Sequence, residues 1–193
     1  MISHCIQSVE TVYRSTRFRS RLEARWAAFF DLCEWNWEYE PLDLKGWVPD
    51  FVLLGAEPVW VEVKPILDFA DDVENLCPAL AGTIKRVSSE DGIEALLVGA
   101  RLDATKDAFG PGLLCQEMGE GFDWCRASFV RGPDFCSRYQ AYRSRMSGQY
   151  DGSLDCGADT ISSIARLWAL AGNRTQWRPE GGFRGDAPGM EAA

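Results

Sequence analysis

Asp50, Glu62 and Lys64 are the side chains of this 193-residue chain whose types and spacing can do chemistry together. Pro49-Asp50 is followed by eleven residues and then by Glu62-Val63-Lys64. Residues 47–54 and 59–63 read as two strands rich in β-branched and aromatic side chains, and Gly55-Ala56-Glu57 reads as the hairpin turn between them. With the turn centred on Ala56, Asp50 faces Glu62, and facing residues hold their Cβ atoms about 4.5–5.5 Å apart. Glu62 and Lys64 are two apart on one strand and share its face. Two carboxylates and one amine then meet on an otherwise apolar hairpin. Carboxylates of this kind hold hard divalent cations such as Mg²⁺ or Mn²⁺, with the Val63 backbone carbonyl as a further ligand. Such an ion polarises a phosphoryl oxygen and makes a bound water more acidic. An ammonium beside it positions or deprotonates the attacking water, or stabilises developing charge. Lys64 is one of only four lysines, and lysine can act as a base where arginine cannot. The chemistry that fits is hydrolysis of a phosphodiester. The competing reading is a surface ion-pair cluster on an edge hairpin. Trp60, Val61 and Val63 argue against a fully exposed strand, and inward charges are costly unless paired or metal-bound.

The flanking elements must position these groups. Residues 20–33 predict an amphipathic helix with Leu22, Trp26, Phe29, Phe30 and Cys33 on one side. Ser20 and Glu23 fit a capping box. A short strand is expected near residues 37–40. Residues 78–88 predict a second helix, with Leu80, Ile84 and Val87 on one face, and residues 95–100 form a continuous apolar run of the buried-strand type. Further on, residues 112–118 and 122–130 suit strands, 133–146 a helix and 147–157 a loop. Residues 160–171 predict a helix with an Ile161, Ile164, Leu167, Trp168, Ala171 stripe, capped by Asp159 or Thr160 and closed by Gly172. There are no internal repeats. We expect one domain over residues 1–178, of α/β class with three α/β/α layers about a central mixed sheet and a C-terminal helical extension. Residues 179–193, rich in Gly and Pro, are expected to be a flexible tail.

Pro49, Asp50, Glu62 and Lys64, set on a hairpin after an acid-bearing helix, resemble the PD-(D/E)xK nuclease superfamily. The helix residues 19–31, the WEYEP segment at 37–41, VPDFVL and WVEVKP look similar to small phage-type and transposase-associated members. The resemblance spans roughly residues 17–100. It implies a restriction-endonuclease-like core, Mg²⁺ or Mn²⁺ as cofactor, and cleavage of DNA. In many members an acid on the first helix joins the metal site; Glu23 is the matching residue, and its rival role is the capping box. Glu38 and Glu40 are expected mainly to tune structure and charge. Arg19, Arg21 and Arg25 would flank the site and touch phosphates.

The net charge of −9 counts against nucleic-acid binding as a sum, yet the basic residues are clustered. Arg14, Arg17, Arg19, Arg21 and Arg25 enclose one acid, Glu23. Arg131, Arg138, Arg143 and Arg145 form a second group, and Arg166, Arg174 and Arg178 a third. Each group also suits an ordinary solvated face. The seven cysteines are widely spaced with no CxxC pair, which suits free thiols rather than zinc or a disulfide scaffold. The single histidine, His4, argues against His-based catalysis. No stretch approaches the roughly 18–20 apolar residues that span a bilayer, and residues 1–10 lack a signal-peptide pattern, so the expectation is a soluble, cytoplasmic chain. RNA or branched DNA is the alternative substrate, with a homodimer for junctions. The alternative in kind is a non-catalytic nuclease-like accessory module, or an unrelated small α/β protein. Trp168 and the 173–177 segment are expected to serve core packing rather than binding. With no helix-turn-helix or zinc module in view, a protein partner would supply DNA specificity.

Overall fold

The computed structural model describes residues 8–69, 77–104, 109–138, 143–150 and 157–176. The chain is mixed α/β. A small hairpin, β1 (Thr11–Tyr13) with β2 (Thr16–Phe18), leads into helix α1 (Arg21–Leu32). A seven-stranded mixed sheet follows, made of β3 (Trp37–Tyr39), β4 (Phe51–Leu54), β5 (Pro58–Val63), β6 (Glu94–Ala104), β7 (Phe109–Glu117), β8 (Phe122–Phe129) and β9 (Phe135–Ser137). Helix α2 (Pro78–Asp91) lies in the connection between β5 and β6, and α3 (Ala158–Arg174) closes the described chain. The strands lie in the sheet in chain order. Every neighbouring pair is antiparallel except β5 and β6, which run parallel.

Helices cover both faces. Val59, Val61, Val63, Leu96, Val98 and Leu114 pack with Trp26, Phe29 and Phe30 of α1 and Ile164 and Ala171 of α3. On the opposite face Ile84 and Val87 of α2 pack with Trp47, Ala95 and Cys115. The alternation of Val59, Trp60 and Val61 follows from the two-residue period of a strand. The Trp26 indole N–H donates to the Gly99 carbonyl at 2.8 Å, pinning α1 to β6. No helix among the described residues is long and apolar enough to cross a membrane. The five described cysteines are free, as the spacing suggested.

Helix α1 begins where the capping pattern placed it: Ser20 is the N-cap and its side chain accepts from the Glu23 N–H. Other expectations need correction. The strand over 47–54 is shortened to Phe51–Leu54. Pro49 has no N–H for a ladder, and Trp47 instead pairs with Leu44 across a tight turn. The helix expected over 133–146 contains β9, which pairs with β8 through Phe129↔Phe135 and its neighbours. Asp134 accepts the N–H groups of Phe135, Met146 and Ser147, which favours a turn over a helix there. Helix α3 starts at Ala158, so neither Asp159 nor Thr160 caps it, and it runs through Gly172 to Arg174. Ile161 of its expected stripe is exposed. Residues 151–156, within the expected 147–157 loop, and the expected tail at 179–193 lie outside the described residues.

The β6–β7 ladder shifts register between Val98 and Asp103. Gly112 sits at this irregularity with φ +155°, where an added Cβ would lie 2.1 Å from the Leu97 carbonyl oxygen. The nearest atoms are all backbone, of Leu97 and Val98, and have no side-chain freedom with which to yield. Gly112→Ala is expected to cost about 2–4 kcal/mol and to lower Tm by roughly 5–15 °C in a thermal melt.

Candidate functional site

The hairpin register is the one the sequence implied. Phe51 pairs with Val61 and Val52 with Trp60. Asp50 lies one residue beyond the last ladder pair of β4, and its Oδ2 accepts the Val63 N–H at 2.7 Å. Asp50 is thereby locked to the end of β5, beside Glu62. The exposures of Asp50, Glu62 and Glu23 are only 3%, 5% and 8%. Buried carboxylates need hydrogen-bond donors, and each of these six oxygens has one. Asp50 Oδ1 accepts from Arg19 at 2.6 Å. Glu62 Oε2 accepts the Trp47 indole N–H at 2.7 Å, and its Oε1 meets the Lys64 ammonium. Glu23 Oε1 accepts the Ser20 hydroxyl at 2.7 Å, and Oε2 the Tyr39 hydroxyl at 2.6 Å.

The capping box is therefore half formed. Ser20 takes the Glu23 N–H, while the Glu23 carboxylate reaches Tyr39 on β3, toward the hairpin. Glu40 holds Arg19 through its Nε at 2.8 Å, so it acts on Asp50 through that guanidinium. Glu38 faces solvent on β3. At Val63 the contact is made by its N–H, to Asp50. Among the described residues no three His, Cys, Asp or Glu side chains converge as a ready metal cage.

Burial pushes the Asp50 carboxyl up to about 7, and the neighbouring charges of Glu62 and Glu23 add to the rise; the Val63 N–H and Lys64 oppose it. The compensating cations reach solvent: the Arg19 and Lys64 side chains are 60% and 35% exposed. Oxygen donors crowded by their own repulsion suit a hard divalent cation, so Asp50 and Glu62 fit that role by donor chemistry.

The three arginines expected to flank the site part company. Arg19 is on it. Arg21, the first residue of α1, is exposed. Arg25 turns away: its guanidinium stacks 3.8 Å over the Trp168 ring and donates to the Trp168 carbonyl at 3.1 Å. Trp168 itself packs on Trp26 and Phe29, as the core reading expected, whereas Asn173 and Gln176 are exposed and Trp177 and Arg178 lie outside the described residues. Tyr39 and Trp47 were missed as site residues. Both are aromatic residues with one polar atom, and nothing in a linear pattern separates that use from plain core packing.

The raised Asp50 pKa gives a pH signature. Between its ordinary value of 3.8 and about 7 the folded state binds more protons than the unfolded state, so the Asp50 contribution to stability falls as pH rises. Relative to Asp50→Asn, wild-type stability is expected to decline from pH 4 to pH 7 in urea titrations. A difference between the two proteins that does not change with pH would contradict the assignment. No family model, curated protein or solved structure matches the chain.

Proposed function

We propose that this chain is a metal-dependent endonuclease that hydrolyses DNA phosphodiester bonds, with a restriction-endonuclease-like α/β/α core. One observation carries the reading: two buried carboxylates, Asp50 and Glu62, lie together at the end of one hairpin with the Lys64 ammonium on Glu62. The helix preceding that hairpin and the mixed sheet flanked by helices are what the PD-(D/E)xK resemblance implies. Asp50 and Glu62 would hold Mg²⁺ or Mn²⁺, with Glu23 and the Val63 carbonyl as further ligands, and the ion would supply Lewis acidity and a more acidic water.

The chain's own groups supply the rest. The Trp47 indole orients Glu62, and the Val63 N–H orients Asp50. Lys64 stands where an amine can hold the attacking water or balance charge as it develops on the phosphoryl group. Were Asp50 to hold the ion, Arg19, still paired with Glu40, would be the cation within reach of a phosphate oxygen.

A second reading has an observation of its own. All six oxygens of Asp50, Glu62 and Glu23 are satisfied by protein donors, which is what a non-catalytic nuclease-like accessory module would show. Cleavage and metal binding separate the two. Supercoiled plasmid in Mg²⁺ or Mn²⁺ is expected to be cut by the wild type, and the rate to fall at least about 100-fold in Asp50→Ala and in Lys64→Ala. Mg²⁺ is also expected to raise the wild-type Tm at pH 7, and to leave that of Asp50→Asn unchanged. A folded wild type that neither cuts nor gains stability from Mg²⁺ would favour the accessory module.

A further inference from the structure

A groove runs between α1 and α3, next to the carboxylate cluster. Its larger part, about 580 Å³, is walled by Arg21, Arg25, Gly172, Asn173 and Gln176, with Pro65 and Ala100 on its floor. Pro65 directly follows Lys64, so the groove reaches the candidate catalytic strand. A second hollow of about 430 Å³ lies on the other side of Arg25 and is lined by Arg101, Phe109, Ala165 and Trp168. Arg25 and Ala100 border both, so the two hollows adjoin at Arg25. Among the described residues, no aspartate or glutamate lines either part. In a protein of net charge −9, three arginines and no acid among the described lining residues are a marked local reversal of sign.

Arg25 shows that the reversal is not balanced from within. Its guanidinium is half-buried, its Nε is buried without a hydrogen-bond partner, and desolvation lowers its pKa. Trp168 supplies the ring face beneath it, and Gly172 supplies clearance, since an added Cβ there would lie 3.3 Å from the guanidinium carbon. A desolvated cation with no carboxylate beside it gains when an anion arrives. Arg21 and Arg101 are exposed at its two sides, and neither forms an ion pair among the described residues.

We infer that this α1–α3 groove binds the sugar-phosphate backbone of a nucleic-acid strand, with Arg21, Arg25 and Arg101 contacting successive phosphates and guiding the strand past Lys64. The inference rests on the nuclease reading for the identity of its ligand. A repeating polyanion matches three cations distributed along the groove, where a single small anion would engage one. The Trp168 ring is already covered by Arg25, so contacts go to phosphates rather than to stacked bases, and binding is independent of sequence.

The test is fluorescence anisotropy with a labelled single-stranded oligonucleotide and a duplex of the same length, in EDTA so that neither is cut. Arg21→Ala/Arg101→Ala is compared with wild type after matching thermal melts show both folded. The double variant is expected to weaken binding about tenfold or more at low salt, and to reduce the slope of log K against log salt by about 1.5. Equal affinity and slope in the two proteins would overturn the groove, as would failure of the wild type to bind either probe. Groove-dependent binding by a wild type that cuts no plasmid would sustain the groove and sink the nuclease reading. Plasmid cutting that the double variant performs as well as wild type at sub-saturating DNA would sink the groove alone.

Discussion

A carboxylate cannot be taken out of water cheaply unless each of its oxygens finds a donor. That requirement organises the residues around Asp50, Glu62 and Glu23. The donors come from different places: a serine at the start of α1, a tyrosine on β3, an indole from the turn before β4, the backbone of β5, and two long cations. Moving any one of these segments would strand a buried charge, which costs several kcal/mol. The cluster thereby ties α1, β3, the hairpin and the 44–47 turn into one mutual geometry. Its four neutral donors are held in place, while its two cationic donors reach solvent.

The aromatic core provides the rigidity. Trp26, Phe29, Phe30 and Phe51 are fully buried, and Phe51 is the residue next to Asp50. Its ring meets Phe30 of α1 and Tyr39 of β3 at 5.3 Å in each case. The same packing that stabilises the helix against the sheet fixes the backbone from which Asp50 projects and the hydroxyl that holds Glu23. Close-packed interiors transmit small displacements, so substitutions at Phe51 or Phe30 would act on the carboxylates without touching them.

Much of this site could be read from the chain because its key relations are local. The Ser20 cap, the turn about Ala56 and the two-residue period of β5 are near-neighbour properties, and together they place Asp50 beside Glu62. What escaped depends on distant partners. Pro49 shortens β4 and frees Trp47 to reach Glu62, a contact across the hairpin that no periodicity signals. Residues 135–137 have an apolar character that suits a helix or a strand, and pairing with β8 decides it. Arg25 lies in a basic run that reads as one flank of the carboxylate site, yet Trp168, far along the chain, holds it in the α1–α3 groove. Glu23 serves its cap through its N–H and holds the Tyr39 hydroxyl through its carboxylate, a partner that no local pattern signals.

The order of the strands has a consequence for how the molecule assembles. Neighbours in the sheet are neighbours in sequence, and all pairs but one can close by short turns or loops, which is entropically cheap. Helix α3 is different: the Arg25–Trp168 contact spans 143 positions. Long-range closure is slow, so the hairpin and its carboxylates can take shape on a nascent chain well before the second wall of the groove exists. Docking of α3 is then a late and separable step, and a molecule caught before it would carry its acidic residues ordered and its basic groove unbuilt.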